Sequence, residues 1–328
     1  MDTQKPFVIG VDLGGTNTVF GIVDARGNIV AQDSIKTQNY KTAGAFVEAS
    51  VVCLTPLITQ VGGVENIAGM GIGAPNANYY SGSIEIAPNL SWAHDCVVPL
   101  GQMFSDQLST SNYRLPVRLT NDANAAAMGE MTYGVARGMK NFIVITLGTG
   151  VGAGVVVNGQ LVYGHDGFAG ELGHVRVDHS SKARLCGCGR RGCLEAYCSA
   201  TGVARTAREM LQLSGRPSLL RAKNLDDIES LDVFLAAQKG DEMAKEIFNY
   251  TGYTLGEACA DFAAFSSPEA FIFFGGLCKA GDFIMKPIEE AYNHAVMPIF
   301  RGKAKFLVSS LMDTNAAVLG ASALGWEK

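Results

Sequence analysis

Short apolar runs separated by glycine- and asparagine-centred turns dominate the chain, and one arrangement of them occurs twice. In FVIGVDLGGTNTVFGIVDARGNIV (Phe7 to Val30) an apolar run meets a glycine-rich turn, a second apolar run, a polar turn with glycine and a third apolar run. FIVITLGTGVGAGVVVNGQLVYG (Phe142 to Gly164) repeats the order, with Asn158-Gly159 at its second turn, a pair suited to a two-residue β-hairpin. Two such β units predict a duplicated architecture.

The segments around them alternate in type. AGAFVEASVVCLTPLITQV reads as an amphipathic helix, IAGMGIGAP as a buried strand entering a turn, and PVRLTNDANAAAMGEMTYG as a strand, a polar elbow and an alanine-rich helix. Helical patterns fill Thr201 to about Asp261, EAFIFFGGL is a further buried strand ending in two glycines, and TNAAVLGASALGW is a closing helix. This alternation predicts an α/β protein of two lobes. The first lobe is expected at 1–118, completed by the closing helix at 314–328, and the second at 119–313 with an inserted segment at 174–198. No Pro/Ser-rich linker intervenes, so the lobes should be joined by short connections, with a cleft between them as the default ligand site.

With 328 residues, 48% hydrophobic and 17% charged, the chain can bury a substantial core. Its net charge of −5, without a Lys/Arg-rich block, gives no electrostatic footprint for nucleic acid, so the expected partner is a small molecule. MDTQKPFVIG lacks a basic region followed by an apolar run, and the longest apolar stretches are broken by Gly or Pro; the expectation is a cytoplasmic protein with no membrane partner.

Chemistry concentrates in three places. DLGGTNT and LGTGVGAG each follow a buried strand with consecutive small residues, so the N–H groups of Gly14, Gly15 and Thr16, and of Gly148, Thr149 and Gly150, can converge on phosphate oxygens. Asn17 and Gly152 complete these two candidate nucleotide loops. Neither loop contains G-x-x-x-x-G-K-[ST], and neither opens a helix as a dinucleotide fingerprint does. The third place is RLCGCGRRGCLEAY. Of eight cysteines, Cys53, Cys96, Cys259 and Cys278 sit alone in apolar or helical surroundings and read as buried small hydrophobes. Cys186, Cys188 and Cys193, with glycines between them, form a knuckle that can point three thiolates at one zinc ion; the fourth ligand is His174, His179 or Cys198. A disulfide framework does not suit the expected compartment, and a thioredoxin-like C-x-x-C is absent.

VDLGGTNT, TNDANAAAMGE, LGTGVGAG, GELGH and CGCGRRGCLE, in this order from about Phe7 to Trp326, resemble the ROK family (repressor, open reading frame, kinase). The resemblance implies the duplicated actin-like ATPase (ribonuclease H-like) fold and ATP-dependent phosphorylation of a hexose hydroxyl, glucose above all, with N-acetylmannosamine, N-acetylglucosamine and fructose as alternatives. It implies Asp122 as the base that accepts the hydroxyl proton, Asp12 as the Mg²⁺ partner through water, and Gly275 and Gly276 beside the adenine and ribose. Zinc would be held by His174 with the three cysteines, His179 being the other candidate, and would shape the sugar pocket without touching the phosphate chemistry. Asn89, Asn121, Asp122, Glu171, His174 and Glu195 match the family's sugar contacts, and the family's members are commonly homodimers. GAPNANYYSG departs from the Pro-Gly-Pro-x-Asp often found there. The family also contains sugar-sensing repressors, which carry a helix-turn-helix ahead of the first phosphate strand; six residues precede Phe7, so a kinase is expected. A protein-binding actin-like ATPase is the remaining rival, disfavoured by the knuckle and its flanking glutamates.

Overall fold

Val8, Ile9, Val11 and Leu13 are all buried, which makes β1 (Phe7–Leu13) a central strand covered on both faces. The computed structural model describes residues 5–311 and 316–327; the MDTQ terminus and positions 314, 315 and 328 of the expected closing helix lie outside the described residues. Two strands follow in an antiparallel meander, β2 (Thr18–Asp24) and β3 (Ile29–Ile35). Helix α1 (Ala43–Gln60) is capped by Thr42, whose Oγ1 accepts from Ala45 N at 3.2 Å, and leads to β4 (Ile67–Gly73), parallel to β1. Among the described residues α1 is the one helix long and apolar enough to cross a membrane, but Phe46, Val47, Leu54, Leu57 and Ile58 turn into the core. A small sheet of β5 (Ala77–Asn78), β6 (Ser83–Glu85) and β7 (Val97–Val98) precedes α2 (Leu100–Leu108), β8 (Val117–Thr120) and α3 (Asp122–Thr132).

The pattern then starts again. Strands β9 (Phe142–Leu147) and β10 (Val151–Val157) pair antiparallel, and Asn158 and Gly159 turn the chain into β11 (Gln160–Leu161) with φ of 53° and 75°. Positive φ at both turn positions is what an Asn-Gly hairpin supplies. Helices α4 (Glu195–Cys198), α5 (Ala200–Leu213), α6 (Ser230–Gln238) and α7 (Glu242–Ser266) lead to β12 (Ala270–Phe274), α8 (Asp282–Ala295) and β13 (Lys305–Val308). The two five-stranded sheets have the same plan, β3-β2-β1-β4-β8 and β11-β10-β9-β12-β13, an antiparallel meander continued by two parallel strands. The closing helix α9 (Ala316–Leu324) lies on the first sheet. A Cβ on Gly10 would meet Val318 O at 2.2 Å and one on Gly71 would meet Ala321 O at 1.9 Å, so these strand glycines let the helix backbone seat directly on β1 and β4.

Two compact units result. One comprises the described residues up to Met139, Leu161–Ala169, and those from Ser309 onward; the other comprises Lys140–Gln160 and Gly170–Val308. The division therefore falls after Met139 and not near 118, because α3 packs on α9 and β4: Gly129 is against Gly320, and Gly73 against Ala125.

Candidate active site and metal centre

In the first unit the expected residues gather at the carboxyl ends of β1, β4 and β8. The turn after β1 closes with Gly14 N donating to Asn17 O at 3.0 Å. A Cβ on Gly15 would lie 2.6 Å from Asn89 O, so Asn89, an expected sugar contact, sits directly against this loop with its side chain exposed. Thr16 and Asn17 are exposed at the same turn. Asp12 is opposite Val19 on one side and Gly73 on the other. Burial first, and the neighbouring Asp122 carboxylate second, push its pKa up to about 6.

Asn121, not Asp122, caps α3: its Oδ1 accepts from Asn124 N at 2.7 Å. Asp122 occupies the first helical position, exposed, its Oδ1 accepting from the adjacent Ala123 N at 2.9 Å. Neither Asp12 nor Asp122 forms an ion pair with a Lys or Arg among the described residues. Two neighbouring carboxylates without a basic partner suit a hard cation, so Asp12 fits the Mg²⁺ role.

In the second unit the loop after β9 is held from several sides. Gly148 N donates to Gly150 O at 3.1 Å, Ala200 N to Gly148 O at 2.8 Å, Thr201 Oγ1 to Thr149 O at 3.0 Å, and Gly152 N to Thr146 Oγ1 at 3.1 Å. Gly275, at φ 112°, would place a Cβ 2.5 Å from Leu147 O, so close approach to the end of β9 explains it; Gly276 faces open space. The GELGH segment is adjacent, since a Cβ on Gly173 would meet Val151 O at 1.9 Å. Glu195 links the same parts: its Oε2 accepts from Val151 N at 3.0 Å and its Oε1 lies 3.5 Å from Cys186 Sγ.

The knuckle closes on one point. Ligand atoms of His174, Cys186, Cys188 and Cys193 all lie within 4.8 Å of one another. Cys188 and Cys193 sulfurs are 3.7 Å apart, and Cys186 Sγ is 3.8 Å from His174 Nδ1. Tetrahedral zinc with bonds of about 2.3 Å to sulfur needs edges of about 3.8 Å, so the residues fit the ion. Burial pushes the Cys186 thiol up to about 12, so metal binding here releases protons. His179 lines a different cavity with Asp178 and Tyr250, and buried Cys198 donates to Thr251 O at 3.5 Å, which leaves His174 as the fourth member. Its Nε2 faces Glu171 Oε2 at 4.0 Å. Of the cysteines expected to be buried hydrophobes, Cys96 is exposed and Cys53 half-buried, because both lie toward the surface of their segments.

Some polar residues here had no signal in the sequence. Arg184 is buried and ties the knuckle to the helices behind it, donating to Ala196 O at 3.0 Å, Thr206 Oγ1 at 3.0 Å and Glu209 Oε2 at 2.5 Å. Nothing in its spacing distinguishes it from the exposed arginines nearby.

A family model described as the ROK family matches residues 8–328. The chain belongs to the ROK family. A glucokinase of Halalkalibacterium halodurans is 36% identical over 326 residues, covering 97% of this ROK chain and 93% of that protein. A glucokinase of Thermotoga maritima is 35% identical over 330 residues, covering 97% and 96%. Among solved structures, a ROK family glucokinase from Streptomyces griseus in complex with glucose and AMPPNP matches with a TM-score of 0.75 and 32% identity, covering 97% of this chain and 98% of that one. The fold is the actin-like ATPase fold of the ROK sugar kinases.

Proposed function

We propose that this chain is an ATP-dependent hexose kinase that converts glucose to glucose 6-phosphate. The observation that carries the reading is the division of labour at α3: Asn121 does the capping, which leaves Asp122 an exposed carboxylate at the end of β8 beside Asp12. Full-length similarity to glucokinases, one of them solved with glucose and an ATP analogue, supports the choice of sugar and donor.

Asp122 accepts the proton of the attacking sugar hydroxyl, converting a weak nucleophile into a competent one at the γ-phosphorus. The N–H groups of Gly14, Gly15, Thr16, Gly148, Thr149 and Gly150 bind phosphate oxygens, with Asn17 and Gly152 in the same loops and Gly276 giving the nucleoside room. Asp12 would hold Mg²⁺ through water, and that ion supplies neutralising charge on the phosphates. Asn89 and the Asn121 amide, with Glu171, His174 and Glu195, bind the remaining sugar hydroxyls; carboxylates accept from paired hydroxyls and amides do both. His174, Cys186, Cys188 and Cys193 would hold zinc, which fixes the imidazole tautomer so that Nε2 carries the donor proton. The active species is a cytoplasmic homodimer, which light scattering on the purified chain tests.

The deciding assay is ADP release across a panel of hexoses and amino sugars. Glucose should give the highest kcat/KM, with no release when sugar is omitted. Preference for an N-acetylated sugar would reassign the substrate, and sugar-independent release would remove the kinase reading.

A further inference from the structure

We propose that Asn78, Tyr79 and Tyr80 form a clasp that positions the sugar-contacting segment Glu171–His174 through the strap Leu161–Ala169; the proposal rests on the assignment of that segment to sugar recognition. The clasp lies in GAPNANYYSG, the stretch that leads from the end of β4 to β6.

Three consecutive residues each grip the strap in a different way. Asn78 Nδ2 donates to Asp166 O at 2.8 Å, the Tyr79 ring stacks on Tyr163 with centroids 4.0 Å apart and planes at 12°, and Tyr80 Oη donates to Gly164 O at 2.8 Å. Asn78 is nearly fully buried, and its Oδ1 also accepts from Tyr80 N at 3.0 Å and Ser81 N at 3.3 Å, so one side chain both shapes the clasp and holds its target. Tyr79 is itself fixed at its far end, where Oη donates to Glu327 Oε2 at 2.8 Å, and Glu327 lies 3.6 Å from Arg118 Nε. The strap matches this surface. Its turn is closed by Ala169 N donating to Tyr163 O at 3.0 Å, and Gly167, at φ 92°, would place a Cβ 2.6 Å from Asn78 Oδ1, so no other residue seats there without strain.

The strap packs with the first unit, whereas Gly170 and the residues after it belong to the second. Only Gly170, at φ 98°, separates the strap from Glu171. The clasp therefore fixes the point from which the chain enters the Glu171–His174 turn, and its effect should fall on sugar binding and not on the nucleotide loop after β9, which is held by Ala200 and Thr201. The Tyr163 hydroxyl is buried, and the contact with the clasp is made by the ring, stacked on Tyr79.

Steady-state kinetics on the full-length enzyme test this with Tyr163→Ala, Tyr163→Phe and Tyr80→Phe. Tyr163→Ala should raise the glucose KM on the order of tenfold, with ATP KM and kcat within about threefold, since displaced contact groups weaken binding of the sugar they touch. Tyr163→Phe keeps the ring and should behave as wild type, and Tyr80→Phe should raise the glucose KM by about threefold, the effect of one lost hydrogen bond. If Tyr163→Ala does not fold, Tyr80→Phe decides, because its hydroxyl is on the surface. Unchanged glucose KM in the folded alanine and Tyr80 variants, or equal rises for glucose and ATP, overturns the clasp while leaving the kinase reading intact. A wild-type enzyme that phosphorylates no hexose removes both.

Discussion

Asn121 and Asp122 are adjacent and nearly isosteric, yet the fold assigns them different work. The amide oxygen of Asn121 satisfies Asn124 N, and Asp122 is left facing outward from the first helical position. Asp122→Asn should therefore keep the melting temperature within a few degrees while kcat falls by roughly 10³-fold, within the range a general base contributes. Stopped-time product assays and calorimetry on the same preparation check both halves, and near-normal turnover would remove the base assignment. Asp12 carries a second residue-scale prediction. Its pKa rises from 3.8 to about 6 on folding, mainly through burial and then through Asp122. The folded chain thus binds the proton more tightly than the unfolded chain, so stability falls as pH rises from about 4 through 6 and stays reduced above, by roughly 3 kcal/mol. Asp12→Asn removes that penalty: in nucleotide-free protein it should raise the unfolding free energy at pH 7.5, with the gain shrinking as pH is lowered from 6 to 4. A gain independent of pH would contradict this account. The aspartates themselves were legible as strand-end carboxylates, but which neighbour caps the helix is a matter of one side-chain torsion that residue type does not reveal.

At the scale of elements, legibility followed how local the determinants are. Both glycine-rich hairpins and the knuckle are written in consecutive residues, so their positions could be read directly. Helix α9 could not be placed by periodicity because Ala316, Val318, Leu319, Ala321, Ala323 and Leu324 are buried all round, leaving no polar face to orient it. The real signal was in the strands it covers, where Gly10 and Gly71 omit side chains from otherwise apolar runs. Gly71→Ala must push α9 off β4, since the new methyl would sit 1.9 Å from Ala321 O. A loss of about 3 kcal/mol, the upper range for overpacking, is expected in denaturant melts. The misplaced division near 118 has the same origin: the contacts of α3 with α9 join residues far apart in sequence. The strap at 161–169 was invisible for that reason too, its partners being Asn78–Tyr80. His174 and His179 were inseparable by spacing, and the short turn at Leu172–His174 decides between them by bringing Nδ1 to Cys186.

For the molecule as a whole the proposed metal centre is the part with the longest reach, and its influence would extend beyond the sugar. The sequence placed zinc away from the phosphate chemistry, but Glu195 follows Cys193 by two residues and accepts from Val151 N in the loop expected to hold phosphate. Leu194 N donates to Val175 O at 2.9 Å, and Arg176 pairs with Cys193, so the knuckle also braces the chain just after His174. Removing the ion should then weaken both substrates, though unequally. His174 would be a ligand itself and Glu171 lies beside it, whereas the loop at Gly148–Gly150 keeps its bonds from Ala200 and Thr201 when Glu195 shifts. Arg184 holds the knuckle's base to α5 independently of metal, which confines the disorder to the loop and spares the unit. Calorimetric titration after chelation should show glucose affinity falling by about tenfold or more and nucleotide affinity by about threefold, differences of roughly 1.4 and 0.7 kcal/mol, both restored by added zinc. Equal losses for the two substrates would mean that the whole unit depends on the ion, and unchanged glucose affinity at zero bound metal would separate the knuckle from sugar recognition altogether.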